Sequence, residues 1–183
     1  MGGPLASKPE VGEITMPHAT LVLGLGDQRD GDDALGPRAL AELERLYQFD
    51  SHVIAVETRT VAMRLLPLLS SVRQVLVMTA VRLGGAPGTL HRLEWQGRPE
   101  DLGPRLPAVR PDGIELLRSL HFWVDPVPDL VVLGVEAESH SGQWFSPFVA
   151  LAMHPTVEAC VAEMRRWGHE VTPRGVTAEQ VGA

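Results

Sequence analysis

Four aspartates fall within seven residues near the amino terminus, in Gly24-Leu25-Gly26-Asp27-Gln28-Arg29-Asp30-Gly31-Asp32-Asp33-Ala34-Leu35-Gly36. Carboxylates at that density suit a cation or a donor-rich peptide. The glycine-rich setting invites a dinucleotide reading, but the position of the third fingerprint glycine is Arg29. A pyrophosphate at the following helix N-terminus would also meet Asp27, Asp30, Asp32 and Asp33. The competing assignment, capping and turn aspartates on a solvated loop, fits any single one of them.

The elements that hold this loop follow from the apolar pattern around it. Thr20–Leu23 has the composition of a strand buried on both faces. Leu35, Ala39, Leu40, Leu43 and Leu46 recur at helical spacing, with Asp32 or Asp33 available as cap and Pro37 in the first turn. A second strand over 51–56 ends at Glu57, and a third over 75–78 ends at Thr79. Between them, Thr58-Arg59-Thr60 leads into a helix with Met63, Leu66 and Leu69 on its apolar side. This alternation predicts right-handed βαβ units and a parallel sheet. Arg82–Thr89 reads as a loop and Leu90–Trp95 as an edge strand, followed by a polar excursion over Gln96–Arg110. A helix starts after Pro111-Asp112-Gly113, where Asp112 can serve as its cap. Leu130–Val135 is a further buried strand, trailed by Glu136 and Glu138. Ser146-Pro147 opens a last helix that the pattern interrupts at Pro155 and that Gly168 ends.

The prediction is a single α/β domain over 20–168, a three-layer doubly wound and mostly parallel sheet with helices on both faces. Residues 1–19 form a flexible N-terminal extension and 169–183 a C-terminal tail. In such sheets ligands bind outside the carboxyl ends of the strands, the edge that gathers the aspartate loop, Glu57, Thr79 and Glu136. The chain of 183 residues carries a formal charge of −7, which argues against nucleic acid and anionic membrane as partners. No apolar run is long enough to span a bilayer, and Met1–Pro17 has no apolar core of a signal peptide. The lone Cys160, in an apolar helical pattern, excludes an internal disulfide and reads as a packing residue in a reducing cytoplasm.

The order of these motifs resembles the NiFe-hydrogenase maturation endopeptidases, over roughly Thr20 to Gly168. Gly24-Leu25-Gly26-Asp27 with Asp32-Asp33-Ala34-Leu35-Gly36 is similar to the family's Gly-x-Gly-Asn opening and its acidic pair before x-x-Gly. Leu65-Leu66, Ala86-Pro87-Gly88-Thr89, and Gly134-Val135 through Glu138-Ser139 to Ser146-Pro147 agree in order. The resemblance implies a cytoplasmic protease that trims the C-terminal extension from the hydrogenase large-subunit precursor after nickel insertion. It implies no tightly bound cofactor; the metal is the substrate's nickel or a weakly held divalent cation. Three positions would meet that metal: Asp33, Thr79 and Asp112. The first keeps the family's acidic group, whereas Thr79 replaces an aspartate and Asp112 a histidine. A hydroxyl is a poor ligand for a late first-row metal, and exchanging imidazole for carboxylate favours harder cations. The family's Gly-Gly-Thr-x-Gly loop is Thr58-Arg59-Thr60-Val61-Ala62 in this sequence. Asp27, Asp32, Thr60 and Glu138 are the expected substrate-binding residues, and no catalytic side chain is assigned. His91, His121 and His140 are the histidines nearest these segments. Two alternatives stand beside the protease: a binding or chaperone-like relative in hydrogenase maturation that has lost cleavage, and an enzyme using a hard ion such as Mg²⁺.

Overall fold

Leu21, Leu23 and Leu25 enter one apolar cluster while Val22 enters another, the alternation of a strand buried on both faces. The computed structural model describes residues 19–29, 31–58, 65–95, 128–138 and 144–175, and every structural statement below concerns these. In chain order they form β1 (Thr20–Leu25), a 3-10 turn (Gly31–Ala34), α1 (Leu35–Leu46), β2 (Tyr47–Phe49), β3 (Val53–Thr58) and α2 (Leu66–Leu69). Then come β4 (Gln74–Val81), β5 (Leu90–Trp95), β6 (Asp129–Glu136), α3 (Pro147–Arg166) and β7 (Val171–Pro173).

The central sheet has the order β3-β1-β4-β6-β5. Its first four strands are parallel, and β5 closes the edge antiparallel to β6. Leu65, Leu69 and Val72 cover one face over Leu21, Leu23, Val75, Val77, Leu130 and Val132. On the other face α1 and α3 bring Leu40, Leu43, Val157, Cys160 and Met164 onto Val22, Leu76, Met78, Val131 and Leu133. The doubly wound, mostly parallel architecture expected from the sequence is the one observed. No described helix is long and apolar enough to cross a membrane.

Several boundaries differ from the sequence expectation. β3 begins at Val53 instead of Ser51, because the Asp50 carboxylate accepts the His52 N–H at 2.8 Å and turns the chain there. β4 continues to Val81, which places Thr79 inside the strand, opposite Gly134. The N-cap of α1 is Ala34, which has no side-chain bond, and Asp32 is turned to Glu138 and Ser146 instead. α3 runs unbroken through Pro155, an exposed residue on the solvent side, where a missing N–H costs least. Beyond Gly168, Val171–Pro173 pairs antiparallel with β2, so part of the expected tail is built into a second, two-stranded sheet.

That small sheet is tied to β1 through buried polar groups. Thr20 donates its hydroxyl to Gln74 Oε1 at 3.0 Å, and His169 Nε2 stands 2.7 Å from the same hydroxyl. His169 Nδ1 lies 3.1 Å from Asp50 Oδ2, which also accepts the Glu170 N–H at 3.0 Å. Burial pushes the Asp50 carboxyl up, but the N–H groups of His52 and Glu170 and the His169 imidazole outweigh it, and the net shift is downward.

Two predictions follow from this packing. A Cβ on Gly36 would lie 2.3 Å from Met78 O and 2.4 Å from Leu25 O, both main-chain atoms that cannot swing aside. Gly36→Ala is therefore expected to cost about 3 kcal/mol in urea unfolding. Asp50 is depressed in the folded state, so its stabilisation is present above the unfolded value and lost as pH falls through the folded one. Asp50→Asn should lower the urea midpoint at pH 7, with the difference from the parent shrinking as pH drops below about 4.

Candidate active site

Strand order reverses between β1 and β4: β1 leads through α1 to β3 on one side, while β4 lies on the other. In sheets of this kind the connections leaving the two strands diverge and leave room for a ligand at their carboxyl ends. Three glycines bring the start of α1 down to them. A Cβ on Gly24 would stand 2.6 Å from Gly36 O, and one on Gly26, at φ +152°, would stand 1.9 Å from Asp33 O. The turn Gly31–Ala34 therefore rests on the end of β1 and against β4, carrying Asp32 and Asp33 to the switch point.

The two adjacent aspartates have different surroundings. Asp32 is 2% exposed; its Oδ1 accepts the Ser146 N–H at 2.7 Å and its Oδ2 the Glu138 N–H at 3.0 Å. Ser146 in turn caps α3, its hydroxyl accepting the Val149 N–H at 3.4 Å. Asp33 is half-buried beside it. Asp27, also half-buried, accepts the Arg29 N–H at 3.1 Å and so closes its own turn. Glu138 is half-buried just past β6. Thr79 is 4% exposed, and its hydroxyl donates to Ala80 O at 3.3 Å. The acidic turn, Thr79 and Glu138 thus gather at one edge of the sheet, while Thr60, Asp112, His121 and His140 lie outside the described residues.

Glu136, the last residue of β6, is a second sealed carboxylate at 3% exposure. It accepts the N–H groups of Leu83 at 3.1 Å and Gly84 at 2.9 Å, with His91 Nε2 3.2 Å away. Its main chain also pairs with Gly88 and Thr89, which fastens the 82–89 loop beside the acidic turn. Gly88, at φ +81°, meets α3 so closely that a Cβ would stand 2.7 Å from Phe148 O. The sequence marks Glu136 only as an acid at a strand end; its role depends on amides of a loop some fifty residues earlier.

Beyond this edge the surface is unusually apolar. Trp144, Phe148 and Leu151 are 76%, 51% and 78% exposed, and the Arg38 guanidinium lies 4.6 Å from the centroid of Phe145. The signal was available in the sequence, since Phe148 and Leu151 are three apart on a helix whose inward positions are Val149 and Ala152. Among the described residues, no three His, Cys, Asp or Glu side chains are arranged to hold a metal ion. Cys160 is fully buried and burial pushes its thiol up, which removes it as a nucleophile.

No family model matches the chain. Individual proteins do. The hydrogenase 2 maturation protease of Escherichia coli strain K12 is 28% identical over 158 residues, covering 84% of this chain and 95% of that protein. The hydrogenase expression/formation protein HupD of Rhodobacter capsulatus is 27% identical over 165 residues, 88% of this chain and 78% of its own length. Among solved structures, the hydrogenase maturating endopeptidase HybD from E. coli superposes with a TM-score of 0.76 at 26% identity, over 87% of this chain and 99% of that one. Over most of its length, in sequence and in fold, the chain is therefore similar to hydrogenase maturation endopeptidases.

Proposed function

We propose that this protein recognises and cleaves the C-terminal extension of a NiFe-hydrogenase large-subunit precursor in the cytoplasm. The observation that carries the reading is the likeness to the HybD endopeptidase over 87% of the chain, with Asp33 seated at the strand switch point. Nickel enters as part of the substrate. Asp33 and, by the resemblance, Asp112 would be the hard oxygen donors for a cation at the scissile region, which would supply polarisation of the peptide carbonyl or of a water molecule. The exposed Trp144, Phe148 and Leu151 beside the acidic edge suit a protein substrate better than a small polar one.

One observation favours the binding-only alternative. Thr79, where the family has an aspartate, is buried with its hydroxyl turned to Ala80 O, so this position adds no charge to a metal. Incubating the protein with nickel-loaded precursor, with mass spectrometry of the product, separates the two. The protease reading expects a shortened precursor and a loss of about a hundredfold in rate for Asp33→Ala. Tight capture of an uncut precursor would establish the chaperone-like reading instead.

The remaining predictions concern the metal position and the apolar face. Thr79→Asp buries a carboxylate, so thermal unfolding without metal should show a cost of about 3 kcal/mol. Added nickel should recover part of that loss in Thr79→Asp and leave the parent nearly unchanged. Leu151→Asp should weaken precursor capture about tenfold in a pull-down titration at unchanged melting temperature, since Leu151 is already 78% exposed.

A further inference from the structure

We infer that Asp32 is a positioning residue for the proposed reaction, holding the carboxyl end of β6 and the start of α3 at a set distance from Asp33. The inference rests on the proposed function and gives Asp32, expected from the resemblance to bind substrate, a supporting part instead.

At 2% exposure with each oxygen taken by a main-chain N–H, the Asp32 carboxylate has no surface to offer a peptide. Its two donors stand at opposite ends of the segment that joins β6 to α3, Glu138 on one side and Ser146 on the other. They are 106 and 114 residues away in sequence, so this one side chain joins the first loop of the domain to its last crossover. The next residue in the chain is Asp33, and one of the two donors belongs to Glu138. Whatever moves Asp32 therefore alters the spacing between the metal-side carboxylate and the substrate-side one. The charge matters as well as the shape. Ser146 is the N-cap of a 20-residue helix, an end that favours an anion. An asparagine offers one acceptor and turns its amide N–H₂ toward the other N–H, so one end of the segment is released while the volume is unchanged.

The test is a double-mutant cycle with Asp32→Asn and Glu138→Gln, alone and together, read as cleavage of nickel-loaded precursor. Each single change is expected to lower kcat about tenfold, the scale seen when outer-shell partners are removed, with KM for Asp32→Asn within about twofold of the parent. If Asp32 acts by placing Glu138, the double variant loses the same tenfold, because the second change removes what the first has already misplaced. A product of the two losses, about a hundredfold, overturns the inference, as does Asp32→Asn at the parent rate. If the parent itself does not cleave, the proposed reaction fails separately. The same four proteins are then compared by precursor affinity, where a shared loss supports the inference and multiplied losses refute it. Should Asp32→Asn not fold, amide hydrogen exchange on the parent decides. Glu138 and Ser146 N–H groups protected as strongly as those of β1 and β6 support the clamp, and rapid exchange at either removes it.

Discussion

The whole arrangement depends on how closely α1 approaches the two central strands. Gly24, Gly26 and Gly36 leave no room for a single added carbon between the helix start and the main chain of β1 and β4. Main-chain atoms do not yield as a side-chain tip would, so the acidic turn can sit at the switch point only if all three positions lack a Cβ. Leu35, Leu40 and Leu43 then complete the approach by packing α1 into the sheet's apolar faces. A longer standoff would carry Asp33 away from β4 and leave a gap under the helix.

Two sealed carboxylates convert that approach into a shaped edge. Burying an anion is costly unless donors surround it, and here main-chain N–H groups of loops that would otherwise be loosely held provide them. Asp32 collects amides from the β6–α3 crossover, and Glu136 collects amides from the loop after β4 together with His91. Each carboxylate thus orders a segment distant in sequence. Asp27, Asp33 and Glu138 are only half-buried, in contrast to Asp32 and Glu136.

The same edge shows where this chain departs from the hydrogenase maturation endopeptidases that it resembles. The fold agrees with that of the hydrogenase maturating endopeptidase HybD. Thr79 does not supply the acid expected there, and its neighbourhood is correspondingly dry, with Gly134 opposite and Met78 and Ala80 beside it in the strand. A neutral, internally bonded group in such a setting is stable without a metal, whereas a carboxylate would call for a cation. The substitution and its surroundings are therefore mutually consistent.

The sequence by itself determined the class of fold, because strands buried on both faces read as short unbroken apolar runs and the helices between them show a one-sided stripe. It also located the acidic turn, since Gly24, Gly26 and Asp32-Asp33 are adjacent in the chain. It could not divide the labour between Asp32 and Asp33. That depends on Glu138 and Ser146, more than a hundred residues later, whose amides meet Asp32 only when β6 and α3 are in place. For the same reason β2 and β7 are not legible in the sequence: three-residue strands have too little pattern of their own, and each pairs only with the other. Propensity and periodicity are local, whereas a buried charge or a short strand is decided by the partner that the tertiary structure delivers.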